Sequence, residues 1–240
     1  MSARRSGILA RVNELRGTTT LVGIIGWPVE HSLSPRMQNA AFAELGLDWA
    51  YVPLPTPPER LADAIRGLAA LGFAGANVTS PHKLAVAALV ETDAASVNTL
   101  VVGDGAIEGW TTDAAVLRGL PTGSAIVIGD GGAATAFEQA LPHARRFSRR
   151  ATWPPDARGA ELVVNATSER DDVLVELERE QTLIDLPYPH TATAAAARAA
   201  GATVVSGLDV LVAQGAASFE LWTGMPAPVD AMRRALGFPA

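Results

Sequence analysis

Short apolar segments that alternate with helical patterns are the feature that most limits how this chain can fold. Residues 21–25 (LVGII) and 49–54 (WAYVPL) have the composition of buried strands, and each precedes a polar turn and a longer amphipathic stretch. In the second of these stretches, apolar side chains recur at helical spacing at Leu61, Ile65, Leu68 and Leu71. Strands that alternate with helices are typical of α/β proteins with parallel sheets. The sequence therefore predicts an α/β fold.

A second α/β unit begins near residue 124, where SAIVIGDGGAATAFEQAL runs from an apolar strand through glycines into a helix. Further strands are predicted in RRFSRR, ELVVNAT, TLIDLPY and GATVVSG, and two helices close the chain. Only residues 151–160 separate the predicted strands RRFSRR and ELVVNAT. A crossover between parallel strands usually needs a dozen or more residues. We therefore predict that this unit has a shortened crossover.

Composition excludes several classes of protein. With 240 residues, 48% hydrophobic and 18% charged, the chain is long and apolar enough to bury a core. A net charge of -6 argues against a nucleic-acid binder, and no apolar run is long enough to span a membrane. Cysteine is absent, which excludes thiolate catalysis and favours a cytoplasmic location. The four histidines are scattered, so no metal site is expected.

The glycine-rich turn of the second unit predicts a dinucleotide site. Gly129, Gly131 and Gly132 lie between a buried strand and a helix start, where the backbone can approach a diphosphate. The alternative is an ordinary strand-to-helix turn. Asp130 argues against the dinucleotide site, because a carboxylate repels a diphosphate unless it points away.

The end of the next strand reads Ser148-Arg149-Arg150, whereas NAD sites usually carry an acidic residue there. Arginine suits a 2′-phosphate, so NADP is the expected cofactor. For either arginine alone, a solvated strand end is an equally good interpretation.

In the first unit, GANVTSPHK places Asn77, Thr79 and Lys83 at a strand-to-helix transition, where ligand-binding groups gather in α/β folds. Ser80-Pro81 could instead serve as the N-cap and first residue of the following helix. The segment HSLSP adds Ser32 and Ser34, of which Ser34 could cap a helix.

Two more polar residues adjoin predicted strands, Asn98 in SVNTL and Asp113 in WTTD. Asp113 could simply cap the helix that follows it.

Together these motifs resemble the shikimate dehydrogenase family. The matching segments occur in the family's order: GWPVEHSLSP, GANVTSPHK, SVNTL, TTD, IGDGGAATA, VVNATS and SGLDVLVAQGAASFELWTG. The resemblance implies a discontinuous substrate domain of residues 1–113 plus 208–240. It implies a Rossmann-like NADP-binding domain over residues 114–207.

The resemblance also implies roles for individual residues. Lys83 and Asp113 match the catalytic pair. The positions matching substrate-binding groups are Ser32, Ser34, Asn77, Thr79, Asn98, Tyr188 and Gln214. The positions matching cofactor-binding groups are Gly129, Gly131, Gly132, Ala133, Ser148, Arg149, Arg150, Asn165, Thr167 and Gly207. Ala166 and Ser168 belong to the same strand end as Asn165.

Some positions depart from the family pattern. Ser-Arg-Arg replaces the expected Asn-Arg-Thr, Glu169-Arg170 replaces a glycine after NATS, and the segment from Lys83 to Asn98 lacks part of a helix.

The implied activity is reversible NADPH-dependent reduction of 3-dehydroshikimate to shikimate. The alternatives are a quinate or aminoshikimate dehydrogenase using NAD or NADP, and a non-catalytic ligand-binding paralogue. Either a monomer or a homodimer is compatible with this family.

Overall fold

Two five-stranded sheets follow one another along the chain in the computed structural model, which describes residues 15–103 and 106–238. The first sheet contains β1 (Thr20–Gly26), β2 (Trp49–Pro55), β3 (Gly75–Val78), β4 (Thr99–Val102) and β5 (Ile107–Trp110). Its spatial order is β2-β1-β3-β4-β5, and β1 runs parallel to both of its neighbours. Strands β4 and β5 pair antiparallel, and residues 104–105 between them lie outside the described residues.

Alternation along β1 explains how the first sheet buries both faces. Val22 and Ile24 belong to the cluster beneath α1 (Ser34–Glu44), whereas Ile25 faces the cluster beneath α2 (Leu61–Ala70). Successive side chains of a strand point to opposite faces, so an apolar run is buried on both sides. A short helix, α3 (Lys83–Ala87), follows β3 directly. It has only 5 residues, as the short segment before Asn98 predicts.

The second sheet is wholly parallel. It contains β6 (Ala125–Ile128), β7 (Arg145–Phe147), β8 (Leu162–Asn165), β9 (Thr182–Asp185) and β10 (Thr203–Ser206), in the spatial order β10-β9-β8-β6-β7. Its helices are α4 (Gly132–Ala140), which follows β6, and α5 (Ala192–Ala199), which precedes β10. The α/β fold class is thereby confirmed.

The predicted shortening of the second unit is also confirmed. Residues 148–161 and 166–181, all of which the structure describes, contain no helix. Ala157 and Ala160 from the first connection cover one face of the sheet together with Leu174 and Leu177 from the second. These extended segments therefore bury the apolar surface that crossover helices would otherwise cover.

The end of the chain returns to the first sheet. Helix α6 (Gly207–Thr223) packs Phe219 and Trp222 into the cluster formed by β1 and α1, and α7 (Val229–Ala235) adds Met232. The Trp222 indole donates a hydrogen bond of 2.8 Å to the Leu100 carbonyl of β4. The domain boundaries at residues 113 and 208 stay a prediction.

Three local predictions were wrong. Ser34 is the first residue of α1 rather than its cap, and it is buried, with Leu33 at the N-cap. Helix α3 begins at Lys83 with His82 at the N-cap, so Ser80-Pro81 lies before it. Leu71 is 75% exposed, because α2 ends at Ala70.

Among the described residues, no helix combines the length and apolarity that a membrane span requires.

Candidate active site

The two sheets face each other across a cleft of about 700 Å³. Residues that directly follow β3, β6, β7, β8, β9 and β10 line this cleft, as expected where ligands bind beyond the carboxyl ends of strands. The predicted site residues that line it are Ser32, Ser34, Asn77, Thr79, Lys83, Asp113, Gly129, Gly131, Ala133, Ser148, Arg149, Arg150, Thr167, Tyr188, Gly207 and Gln214. The other three, Asn98, Gly132 and Asn165, do not line it, and of these Asn98 and Asn165 are buried.

Lys83 and Asp113 form an ion pair inside the cleft. The Lys83 Nζ lies 2.8 Å from Asp113 Oδ1 and 2.6 Å from Oδ2. The side chains are only 16% and 8% exposed. Lys83 opens α3, and Asp113 opens a 3-10 turn of residues Asp113–Leu117 whose start has no side-chain cap. The alternative interpretation of Asp113 as a helix cap is therefore wrong.

Lys83 is also the only lysine among the 19 lysines and arginines of the sequence. Arginine stays protonated in proteins, whereas a lysine ammonium can lose its proton at an accessible pH. The chain thus uses arginine for every other basic side chain and lysine where Asp113 meets the cleft. This distribution favours a proton-transfer role for Lys83 over a purely electrostatic one.

Asn98 fixes the Asp113 carboxylate from behind. Its Nδ2 donates to Asp113 Oδ1 over 2.9 Å and to Thr112 Oγ1 over 3.0 Å, while its Oδ1 accepts from the Thr112 backbone N–H at 2.7 Å. Asn98 is 1% exposed. The amide therefore holds the ion pair in one orientation and presents little surface to a ligand.

Asn77 belongs to a second buried network on the same wall. Its Oδ1 accepts from the Tyr51 hydroxyl at 2.8 Å, and its Nδ2 donates to Ser218 Oγ at 2.9 Å and to Thr99 Oγ1 at 3.1 Å. Burial raises the pKa of Tyr51, so its hydroxyl stays protonated and able to donate. Tyr51, Thr99 and Ser218 were missed from sequence; the one available signal was that Ser218 lies one helical turn after Gln214.

Other predicted substrate-binding residues surround the remaining space. The Ser34 backbone N–H donates to Ser32 Oγ over 3.3 Å, which keeps the two hydroxyls together. Gln214 donates to the Leu211 carbonyl at 3.0 Å, and its Oε1 lies 3.4 Å from Asn98 Nδ2. Burial raises the pKa of Tyr188, which is therefore a neutral hydroxyl on this wall.

The glycine turn satisfies the geometry that a diphosphate loop requires. Gly129 has a φ of 135°, and a Cβ there would lie 2.9 Å from the Ala166 carbonyl oxygen, so only glycine fits. Gly131 caps α4, and a Cβ on it would meet nothing within 4 Å, so the helix start is open to a ligand. Backbone N–H groups at such a start favour anions. The residues present therefore fit a dinucleotide.

The same turn contacts Lys83. A Cβ on Gly132 would lie 2.5 Å from Lys83 Cβ and 2.9 Å from Ser96 Oγ. Any side chain at residue 132 would push α4 away from α3. The glycine therefore allows the start of α4 to pack directly against Lys83.

The basic strand end after β7 carries two arginine–carboxylate pairs. Arg149 Nη2 lies 3.5 Å from Glu169 Oε2, and its guanidinium lies 5.4 Å from the centre of the Trp153 ring. Arg150 Nη1 lies 3.3 Å from Asp130 Oδ2. Sequence reasoning missed Trp153, which lies in the shortened connection and has no periodic signal.

Asn165 lies beneath the part of the cleft that the second sheet forms. It donates to Asp185 Oδ1 at 2.7 Å and accepts from the Thr167 hydroxyl at 2.7 Å. Burial raises the pKa of Asp185, although its hydrogen bonds with Thr191 and Asn165 oppose this. Within residues 15–103 and 106–238, no three histidine or carboxylate side chains are grouped to hold a metal ion.

Comparisons with known proteins agree on one family. Residues 24–100 match the model of the shikimate dehydrogenase substrate binding domain, and residues 207–236 match that of the shikimate 5′-dehydrogenase C-terminal domain. Shikimate dehydrogenase (NADP(+)) from Anaeromyxobacter sp. strain K is 42% identical over 92% of this chain and 97% of its own. The same enzyme from Methanopyrus kandleri is 39% identical over 91% and 95% of the two chains.

Solved structures give the same result. Shikimate 5-dehydrogenase from Thermus thermophilus, in complex with NADP(H) and shikimate, superposes with a TM-score of 0.81 at 31% identity, covering 90% of this chain and 98% of that one. The enzyme from Listeria monocytogenes, in complex with shikimate and NAD, gives 0.80 at 27% identity, with 92% and 98% coverage. The chain therefore belongs to the shikimate dehydrogenase family.

Proposed function

We infer that this protein is a shikimate dehydrogenase, an oxidoreductase that reversibly reduces 3-dehydroshikimate to shikimate with NADPH. This reaction belongs to the shikimate pathway of aromatic amino acid biosynthesis. One observation supports the assignment beyond the family: Lys83 and Asp113 form a bidentate pair inside the cleft, and Gly132 of the nucleotide loop packs directly on Lys83.

Lys83 is proposed as the proton donor. NADPH supplies the hydride when bound. As negative charge grows on the substrate oxygen, the Lys83 ammonium stabilises it and delivers a proton. In the reverse direction the neutral amine accepts the hydroxyl proton. Asp113 accepts two of the hydrogen bonds of Nζ and leaves the third N–H for the substrate.

The polar wall is proposed to select the substrate. Ser32 and Ser34 would hold the carboxylate, while Asn77, Thr79, Tyr188 and Gln214 would bind the ring hydroxyls. A site with buried polar groups rejects analogues that leave those groups unpaired. Because Asn98 is buried behind Asp113, we assign it to positioning the carboxylate rather than to direct substrate contact.

The cofactor is proposed to bind across the second sheet. The open start of α4 offers the N–H groups of Gly131, Gly132 and Ala133 to the diphosphate. Ser148, Arg149 and Arg150 would bind the 2′-phosphate, and Asn165 would hold Thr167 in place beside the cofactor. Gly129 and Gly207 allow the backbone to pass close to neighbouring carbonyls.

The setting of the enzyme is proposed from composition. The absence of cysteine supports a cytoplasmic location, and the net charge of -6 supports action on small molecules rather than nucleic acid. We propose that it works as a monomer or homodimer.

An absorbance assay at the nicotinamide band tests the proposed function. Purified protein with shikimate and NADP⁺ is expected to form NADPH, with slower turnover when quinate replaces shikimate. NAD⁺ is assayed in parallel with both acids. Turnover of quinate alone would indicate a quinate dehydrogenase. Cofactor binding by calorimetry without any turnover would indicate a non-catalytic paralogue.

A further inference from the structure

Both arginines that are proposed to bind the 2′-phosphate already have a carboxylate partner. Arg150 pairs with Asp130 of the glycine turn, and Arg149 pairs with Glu169 of the connection after β8. All four residues line the cleft. Their formal charges cancel, so these four side chains together supply no net positive charge to a phosphate.

Glu169 is the more firmly placed of the two carboxylates. Its Oε1 accepts hydrogen bonds from the backbone N–H groups of Arg170, at 3.0 Å, and Asp171, at 3.1 Å. Its own N–H donates to Thr167 Oγ1 at 3.1 Å. The backbone hydrogen bonds of Asp171 and Arg170 lower the pKa of Glu169, so it remains ionised at neutral pH. The side chain is 26% exposed and cannot turn away without breaking these bonds.

The second oxygen of Glu169 faces Arg149. A 2′-phosphate that pairs with Arg149 would carry about -1.5 to -2 charges and would lie beside this carboxylate. A 2′-hydroxyl carries no charge and can donate a hydrogen bond to a carboxylate. Glu169 therefore disfavours a phosphorylated ribose and tolerates an unphosphorylated one.

We propose that Glu169 is a specificity-determining residue that reduces the preference for NADP over NAD, so that the protein also binds NAD productively. This inference rests on the proposed function, since it concerns the cofactor of that same site. Arg149 remains available to the phosphate, held between the Glu169 carboxylate and the Trp153 ring.

Calorimetric binding of NADP⁺ and NAD⁺ to wild-type protein and to the Glu169→Gln variant tests the proposal. A glutamine keeps the Oε1 acceptor for the two backbone N–H groups, so the loop is expected to stay folded. NADP⁺ is expected to bind about three- to tenfold more tightly to the variant, as removal of one charge near a solvent-exposed phosphate allows. NAD⁺ affinity should change by less than about twofold.

Glu176→Gln provides a matched control, because it removes an exposed carboxylate from the same connection outside the cleft. It should leave both affinities unchanged. The same comparison is made with adenosine 2′,5′-bisphosphate and AMP, which lack the nicotinamide. The increase in affinity of the Glu169→Gln variant for the bisphosphate should become smaller as the salt concentration is raised.

If the Glu169→Gln substitution changed the affinities for NADP⁺ and NAD⁺ equally, or changed neither affinity, the proposed role of Glu169 would be wrong. These binding measurements do not depend on turnover. A wild-type protein that binds both cofactors but leaves shikimate unoxidised would contradict the proposed function and leave the Glu169 result standing.

Discussion

The two ends of the cleft hold their charges in opposite ways. At the inner end, the Lys83–Asp113 pair is bidentate at 2.6 and 2.8 Å, nearly buried, and fixed by the amide of Asn98. At the outer end, Arg149 is 63% exposed, and its Glu169 partner lies 3.5 Å away. Buried hydrogen-bonded charges are costly to disturb, whereas exposed pairs contribute little and are screened by salt. We therefore expect the Lys83–Asp113 pair to be held rigidly and the cofactor preference to respond to single substitutions at the outer end.

The largest expected effect comes from removing the reacting lysine. Lys83→Ala should lower kcat by about 10²- to 10⁴-fold, the usual contribution of a proton-transfer group, while NADP⁺ still binds. Lys83→Arg should be nearly as inactive, because arginine can pair with Asp113 but does not release its proton. Steady-state kinetics with shikimate measures both variants, with NADP⁺ binding as the control. Near-normal turnover by Lys83→Arg would show that charge alone suffices at the inner end.

A smaller effect is expected from Asn98→Ala. The substitution leaves the buried Thr112 N–H without its partner and removes one of the hydrogen bonds to Asp113 Oδ1, at a cost of about 1–3 kcal/mol in unfolding free energy. Turnover should fall as well, because Asp113 is free to rotate. Urea denaturation and kcat are measured together.

Asn39→Ala is the matched control for that variant. Asn39 also bonds the backbone, at both the N–H and the carbonyl of Tyr51, but it does not line the cleft. The Asn39→Ala variant should be less stable than the wild type but should keep the wild-type kcat. If Asn98→Ala behaved in the same way, the positioning role would be wrong and Asn98 would be purely structural.

The smallest effect is expected at the outer end. Arg149→Gln should weaken NADP⁺ binding by about tenfold at low salt and by less at high salt, with little change for NAD⁺. Arg158→Gln, which removes another exposed arginine paired with a carboxylate on the same connection, should change neither affinity. Salt-dependent calorimetry checks both. A loss of NADP⁺ affinity that salt does not reduce would mean that the outer end is as rigid as the inner one.

What the sequence could predict was local. The strands, the glycine turn and the short connection after β7 follow from apolar runs, glycine positions and segment length, all of which act over a few residues. The resemblance to the shikimate dehydrogenase family then predicted which polar residues form the site, and most of them line one cleft.

What it could not predict depends on distant partners. The local pattern allows Ser34 to cap α1, but in the folded protein Leu33 is the N-cap and Ser34 is buried as the first residue of the helix. Asn77 bonds Ser218, which is 141 residues away in sequence. Glu169 reaches Arg149 only because β7 and β8 flank the same strand, β6. Such pairings are decided by sheet order, which no local pattern encodes.

The single lysine has a practical consequence. Apart from the amino terminus, the protein offers one primary amine to chemical labelling, and that amine is the proposed reacting group. Reductive methylation with ¹³C-formaldehyde would therefore place a lone side-chain NMR reporter at the centre of catalysis. Its chemical shift could follow the protonation of this nitrogen as substrate and dinucleotide are added, without assignment of any other signal.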